Sequence, residues 1–180
     1  MNPDDLLNEL RHMGAEYIEH INGTLGAHLR GTCERLRRWG NAEPICLAGL
    51  FHAVYGTYGF AEQLLGIDRR GDIARLIGSG AEQQVYFYAA CDRAYFYPRL
   101  SRDNRPSFKD RFTDAMFEPD REQVTAFCEL TIANELDVAH SGRDAYLAAY
   151  GQYVLPLFRS KNFLASLSAK ARTECVQCFG

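Results

Sequence analysis

The residues from Ile45 to Val54 are apolar almost without interruption, and this run constrains the fold more than any other feature of the chain. Pro44 stands just before it, in a position that suits the first turn of a helix, and Gly40 is of the type that ends a preceding helix. A helix that is hydrophobic on every side has to be covered on every side. The sequence therefore predicts a buried central helix with other elements packed around it.

Apolar residues recur at three- and four-residue intervals on both sides of this run, which is the period of amphipathic helices. No segment shows convincing alternation of the kind that strands require. These patterns predict an all-α fold in one domain over residues 1–180, with an exposed connection over 98–119. The other predicted helices lie within 6–23, 28–39, 72–77, 81–95, 122–140 and the closing region 144–176.

Charge and composition give no support for nucleic acid or a membrane as a partner. The chain carries 20 basic and 23 acidic residues, a formal net charge of -3, and no basic stripe with interleaved aromatics that would indicate nucleic-acid binding. Apolar runs fall short of the roughly 18 residues that a membrane span needs, and the first residues lack the pattern of a secretory signal. We therefore expect a cytoplasmic protein without a membrane or nucleic-acid partner. The oligomeric state is left open.

Six cysteines show no spacing typical of a disulfide framework. Cys175 and Cys178 form one C-x-x-C pair, which without a second pair or a nearby histidine is a weak indication of zinc or redox chemistry.

The run HLRGTCERLRRWGNAEPICLAGLFHAVYGT resembles the metal-binding core of HD-domain proteins, most closely the hydrolase domain of stringent-response alarmone enzymes. His28 and His52 match the two histidine positions of that family. The run from Leu130 to Asp137 resembles the helix that carries its last metal-binding aspartate. The resemblance extends over about residues 26–140 and implies an HD-domain-like helical bundle with a divalent metal ion.

The chain departs from that family at the acidic positions. Ala53 follows the second histidine where the family has aspartate, Gly56 and Thr57 replace an acidic pair, and Asn134 replaces the last aspartate. Imidazole and amide ligands suit Zn²⁺ or Fe²⁺ better than Mg²⁺. The expected ligands of an Fe, Mn or Zn ion are therefore His28, His52, Asn134 and Asp137, one helical turn beyond Asn134. Asp92 and His140 are further candidates, whereas the glycines between His20 and His28 leave the relation of those two histidines undetermined.

Two functions are compatible with this pattern. The chain is either a metal-dependent enzyme acting on a small polar or phosphorylated metabolite, by hydrolysis or iron-dependent oxidation, or an HD-like module that binds a small molecule or protein without catalysis. Tyr55, Tyr58 and Arg30 are the candidate substrate-binding residues. Each site residue also has an ordinary structural interpretation: the histidines as a hydrogen-bonded core pair, Asn134 and Asp137 as residues that cap or bridge helices, the tyrosines as core, and Arg30 as part of a solvated helix face.

Overall fold

The computed structural model describes residues 3–20, 23–140 and 142–180, and the chain divides into two compact units, Met1–Ala89 and Ala90–Gly180. The described residues form ten α-helices, one short 3-10 helix and two very short antiparallel hairpins. This confirms the prediction of an all-α fold. The single domain over 1–180 stays a prediction, and each unit is described by itself.

The first unit is built on two helices that follow one another in the chain. Its elements are α1 (Pro3–His12), β1 (Glu19–His20), β2 (Gly23–Thr24), α2 (Leu25–Trp39), α3 (Glu43–Phe51), the 3-10 helix (Ile67–Arg69), α4 (Arg70–Ile77) and α5 (Ser79–Ala90).

Helix α2 has a polar cap at its start and a glycine at its end. The Thr24 hydroxyl accepts a hydrogen bond from the Ala27 amide, and Gly40 takes the left-handed conformation at φ 88°. The predicted stop at Gly40 is therefore confirmed. Helix α3 begins one residue before Pro44, and Cys46, Ala48, Gly49, Leu50 and Phe51 are buried in it. The prediction of a buried helix at this place is confirmed as well, although the helix ends at Phe51 and turns follow it.

The chain between α1 and α2 differs from the sequence prediction. Helix α1 ends at His12 instead of continuing toward Gly23, and a hairpin follows in which His20 pairs with Gly23 and Glu19 with Thr24. Gly14 lies just beyond the helix with φ 102°, a conformation that glycine adopts at little cost and other residues do not. The three- and four-residue spacing of apolar residues continues to Tyr17, so the sequence pattern did not indicate that the helix ends at His12.

The second unit consists of α6 (Arg93–Arg102), β3 (Phe108–Lys109), β4 (Met116–Phe117), α7 (Arg121–Ala139), α8 (Arg143–Phe158), α9 (Lys161–Ala165) and α10 (Ala169–Phe179). The prediction of one helix over 81–95 was wrong, because the Asp92 carboxylate accepts a hydrogen bond from the Tyr95 amide and starts a new helix. The predicted connection over 98–119 contains the end of α6 and the hairpin of β3 and β4.

Helix α7 is the longest element and carries the buried polar residues of the second unit. A capping box begins it: Asp120 accepts from the Gln123 amide, and the Gln123 side chain accepts from the Asp120 amide. Glu129, Thr131, Asn134 and Glu135 are all buried along its length. The closing region contains three helices where the sequence predicted two. Among the helices that the structure describes, none combines the length and the apolar character needed to cross a bilayer.

Candidate functional site: a buried histidine pair

His28 and His52 meet in the core of the first unit. His28 lies in the second turn of α2, and His52 directly follows α3. Each side chain is only 2% exposed, and the two Nε2 atoms are 3.3 Å apart. The sequence prediction that these two residues belong together is supported by this contact.

The hydrogen bonds assign the protons of this pair. His52 Nδ1 lies 2.8 Å from the Gly49 carbonyl oxygen, which can only accept, so Nδ1 carries a hydrogen and donates it. In the neutral ring, Nε2 of His52 then presents a lone pair to His28. The short contact is satisfied when His28 Nε2 donates to His52 Nε2. A backbone carbonyl that fixes the tautomer of a histidine in this way is common behind metal-ligating imidazoles.

Close packing of α2 on α3 brings the two rings together. A Cβ atom added to Gly49 would lie 2.5 Å from Leu36 Cδ1 and 3.5 Å from Cys33 Cα, so the absence of a side chain lets the helices approach each other. The same glycine supplies the carbonyl that orients His52. One residue therefore sets both the separation of the helices and the tautomer of the ring.

His20 is a third histidine at this place, and no reliable pattern in the sequence indicated it. The hairpin of β1 and β2 folds His20 back onto His28, with ring centroids 4.1 Å apart and an angle of 18° between the ring planes. Phe60 packs edge-on against His20, and Tyr88 packs edge-on against His52. The result is a row of five rings in the order Phe60, His20, His28, His52 and Tyr88. Only knowledge of the hairpin would have placed His20 there.

The backbone four residues after His52 leaves little room for a side chain at position 56. Gly56 has φ 68°, and a Cβ atom there would lie 3.2 to 3.3 Å from the carbonyl oxygens of Phe60, Ala61 and Glu62. Ala53 is buried. A side chain at position 56 would therefore crowd these oxygens, and a carboxylate there would also be repelled by them.

The candidate substrate-binding residues of the first unit lie in different surroundings. The Tyr55 side chain is buried and its hydroxyl donates to Glu82 Oε1 at 3.2 Å. Burial, followed by the neighbouring Glu82 carboxylate, raises the pKa of Tyr55, so its hydroxyl stays protonated. Tyr58 is exposed, and Arg30 is exposed on α2. Tyr55 therefore contacts the core of the unit, and the other two residues face outward.

Glu82 is a buried carboxylate at the centre of a half-buried ion pair that sequence reasoning missed. Arg70 Nε and Nη2 donate to its two carboxylate oxygens at 2.6 and 2.9 Å, and the guanidinium of Arg70 stacks on the ring of Tyr86 at 3.6 Å. Tyr55 completes the set. Twelve residues separate Arg70 from Glu82, and no local pattern indicates such a pairing.

The remaining metal candidates belong to the second unit. Asn134 is buried, and its amide nitrogen donates to Glu135 Oε1 at 3.1 Å. Glu135 also accepts from the Tyr146 hydroxyl at 2.5 Å and lies 3.5 Å from Arg93 Nη1. Asp137 is partly buried one turn further along α7, and His140 is exposed at the end of that helix. The four-residue ligand set of His28, His52, Asn134 and Asp137 stays a prediction.

Neither a cluster of three ligands nor a reactive cysteine pair occurs in the part of the chain that the structure describes. Within residues 3–20, 23–140 and 142–180, no group of three or more His, Cys, Asp or Glu side chains is arranged to hold a metal ion. Cys175 is a buried thiol in α10, and burial raises its pKa to about 12, well above that of a reactive thiolate. Asp92, another candidate ligand, caps α6 and lies 3.5 Å from Lys109 Nζ.

Comparison with known families gives one similarity. Residues 9–93 match the model of a family described as Domain of unknown function (DUF6817). The comparison with curated proteins returned no match, and neither did the comparison with solved structures. The matched segment includes the whole row of five rings and the Glu82 ion pair, and it ends close to the boundary of the first unit.

Proposed function

We propose that the chain is an HD-like metal-dependent enzyme in which His28 and His52 hold a zinc or ferrous ion. Its substrate is a small polar or phosphorylated metabolite, and its reaction is hydrolysis or iron-dependent oxidation. The observation that carries the proposal is the buried 3.3 Å contact between the two Nε2 atoms, with the tautomer of His52 fixed by Gly49.

The two imidazoles fit a metal ion that prefers nitrogen ligands. Two nitrogens bound to one zinc ion at a tetrahedral angle lie about 3.4 Å apart, close to the separation of the two Nε2 atoms. Zinc and ferrous ions accept imidazole readily, whereas Mg²⁺ and Mn²⁺ prefer carboxylate oxygens. Of the three ions expected from the sequence, zinc and iron are thus favoured over manganese.

Such an ion, when bound, would polarise a water molecule or a substrate oxygen. The residues of the chain would hold this ion and orient its ligands. Gly49 keeps the hydrogen of His52 on Nδ1, so that Nε2 is available as a ligand, and Tyr88 buttresses the ring from the edge. Asn134 and Asp137 belong to the second unit and stay ligand candidates on sequence grounds alone, as Tyr55, Tyr58 and Arg30 stay candidate substrate contacts.

A second candidate is an HD-like module that binds a small molecule or a protein without catalysis. The His28–His52 pair supports this non-catalytic alternative, since both rings are almost completely buried and can satisfy each other by a hydrogen bond. The Tyr55 hydroxyl is likewise engaged by Glu82. In this alternative the histidines are a structural core pair.

Metal analysis of the full chain purified without chelator separates the two candidates. We expect zinc or iron in the wild-type protein, or uptake of added Zn²⁺ or Fe²⁺, and we expect His28→Ala and His52→Ala each to abolish it. His12→Ala is the matched control, because His12 is exposed on α1 and lies outside the site. Protein that stays metal-free after exposure to both ions, while circular dichroism shows it folded, would exclude the metalloenzyme and leave the binding module.

The finer expectations on partners and location also remain proposals. The lack of a nucleic-acid partner is supported by the balanced charge, and a small-molecule ligand is proposed from the resemblance to HD-domain proteins. A cytoplasmic location is supported by six cysteines that are all free thiols, as is usual in a reducing compartment.

A further inference from the structure

Helix α8 has an outer face without charge. The fourteen residues from Ala145 to Phe158 include no Asp, Glu, Lys or Arg, although many of them are exposed. Tyr146, Val154, Leu157 and Phe158 are buried on the inner face. The exposed side of a surface helix usually carries charged residues. An apolar outer face of this length is typical of a surface that another protein covers.

Most of the exposed residues in the middle of this outer face have small side chains. Because each residue turns the helix by 100°, these residues lie within a band of about 100° around the helix axis. They are Ala145, Ala148, Ala149, Gln152 and Pro156. Small residues allow two helices to approach closely. Tyr153, 67% exposed, lies at one edge of the band, and at the other edge a depression of about 340 Å³ is lined by Gly151, Gln152, Leu155, Pro156 and Arg159.

The charges at the two ends indicate which partner fits. Asp144 ends the uncharged stretch on one side; its side chain is 98% exposed and lies 3.3 Å from Nη1 of the half-exposed Arg143, so this ion pair is open to water. Arg159 ends the stretch on the other side. Around the helix axis, Asp144 and Arg159 both lie on the side of the band opposite to Tyr153. Along the helix, the point midway between them falls between Gly151 and Gln152. Arg159 donates to the Phe179 and Gly180 carbonyls through Nε and Nη2, and its other N–H groups remain available for an acceptor.

A second copy of the same helix complements this pattern. When two identical helices pack antiparallel about a two-fold axis at that midpoint, each edge faces the same edge of the other copy. Asp144 then lies beside Arg159 of the second copy at both ends, the two Tyr153 rings lie side by side, and the two Gln152 residues meet near the axis. In a parallel arrangement Asp144 and Arg159 of the second copy would lie at opposite ends of the helix pair, so this charge pairing would be lost.

We propose that the outer face of α8 forms the interface of a two-fold symmetric, antiparallel homodimer of this chain. One helix pair is a small interface, so the dimer should dissociate on dilution. This inference is independent of the proposed metal site.

Sedimentation of the full chain over a range of concentrations tests the proposal. We expect the mass to rise from monomer to dimer, and we expect Gln152→Glu to raise the dissociation constant about tenfold or more, because it places two carboxylates together at the axis. Gln83→Glu is the matched control, since Gln83 is exposed on α5 in the first unit. A monomer at every concentration, or a dimer that Gln152→Glu leaves unchanged, would overturn the proposal.

Charge reversal tests the antiparallel arrangement. Asp144→Arg and Arg159→Asp should each weaken the dimer, and the double variant should recover most of the loss, whereas additive weakening would overturn the arrangement. Because Arg159 also binds the C-terminal carbonyls, Gln152→Cys provides a second measurement. A short bis-maleimide should link two Gln152→Cys chains across the axis and leave Gln83→Cys chains unlinked, and equal linking of both variants would contradict the proposal.

Discussion

Gly49 and Gly56 determine the geometry of the candidate site more than any acidic residue does. Gly49 lets α3 approach α2 and orients His52 through its carbonyl group. Gly56 turns the chain with a positive φ close to three carbonyl oxygens. Position 56 therefore combines a backbone conformation and close surroundings that both favour glycine.

Replacement of Gly56 tests this conclusion. We expect Gly56→Ala to lower the free energy of unfolding by about 1–3 kcal/mol, because alanine is strained at positive φ and its Cβ crowds the three oxygens. Gly80→Ala is the control: Gly80 lies in α5 with open space around it, so its replacement should leave stability unchanged or slightly higher. Chemical denaturation measures both variants. Equal stability of Gly56→Ala and the wild type would show that this conformation is not required.

At the scale of elements, the first unit is held together by contacts that join distant segments of the chain. The ion pair of Arg70 and Glu82 links the start of α4 to α5, and Tyr55 connects it to the turns after α3. Arg37 and Glu43 form a second pair with the same 2.6 Å separation, but Glu43 is largely exposed. The two ion pairs have the same N–O separation but differ in the exposure of the carboxylate, so they can be compared directly.

The buried pair should matter more to stability. We expect Glu82→Gln to cost about 2 kcal/mol, because the half-exposed Arg70 loses its counter-ion and the buried Tyr55 hydroxyl loses a charged acceptor. Glu43→Gln should cost less than about 1 kcal/mol, since water screens the exposed pair. Thermal unfolding of the two variants measures the difference. Similar losses in both would mean that burial contributes little to the strength of the Arg70 pair.

At the scale of the whole molecule, buried thiols are a property that both units share. Cys33, Cys46 and Cys175 have pKa values raised to about 12, 11 and 12, and the pKa values of Cys91 and Cys128 are raised further. Burial is the main cause in every case. All these thiols stay protonated in the folded chain at pH values where they would ionise in the unfolded chain.

Stability should therefore fall in mild alkali. Above the unfolded thiol pKa of 9.0, the unfolded chain loses protons that the folded chain keeps, so each buried thiol lowers the free energy of unfolding by about 1.4 kcal/mol per pH unit until its folded pKa is reached. Below that pH the contribution is fully present. Circular dichroism between pH 7 and 11, with a reductant present, follows the transition, and thiolate absorbance identifies its cause. Stability that stays constant to pH 11 would contradict the assignment.

Sequence alone determined the fold class, the stop at Gly40 and the buried helix after Pro44, because these follow from local periodicity and turn chemistry. The choice of His28 and His52 came from the resemblance to HD-domain proteins. The tertiary structure decided the stacking of His20, the tautomer of His52, the turn at Gly56 and the ion pair of Glu82. These features depend on which segments meet in space. These contacts are set by the packing of whole helices against one another, and the residue pattern within a single helix does not predict them.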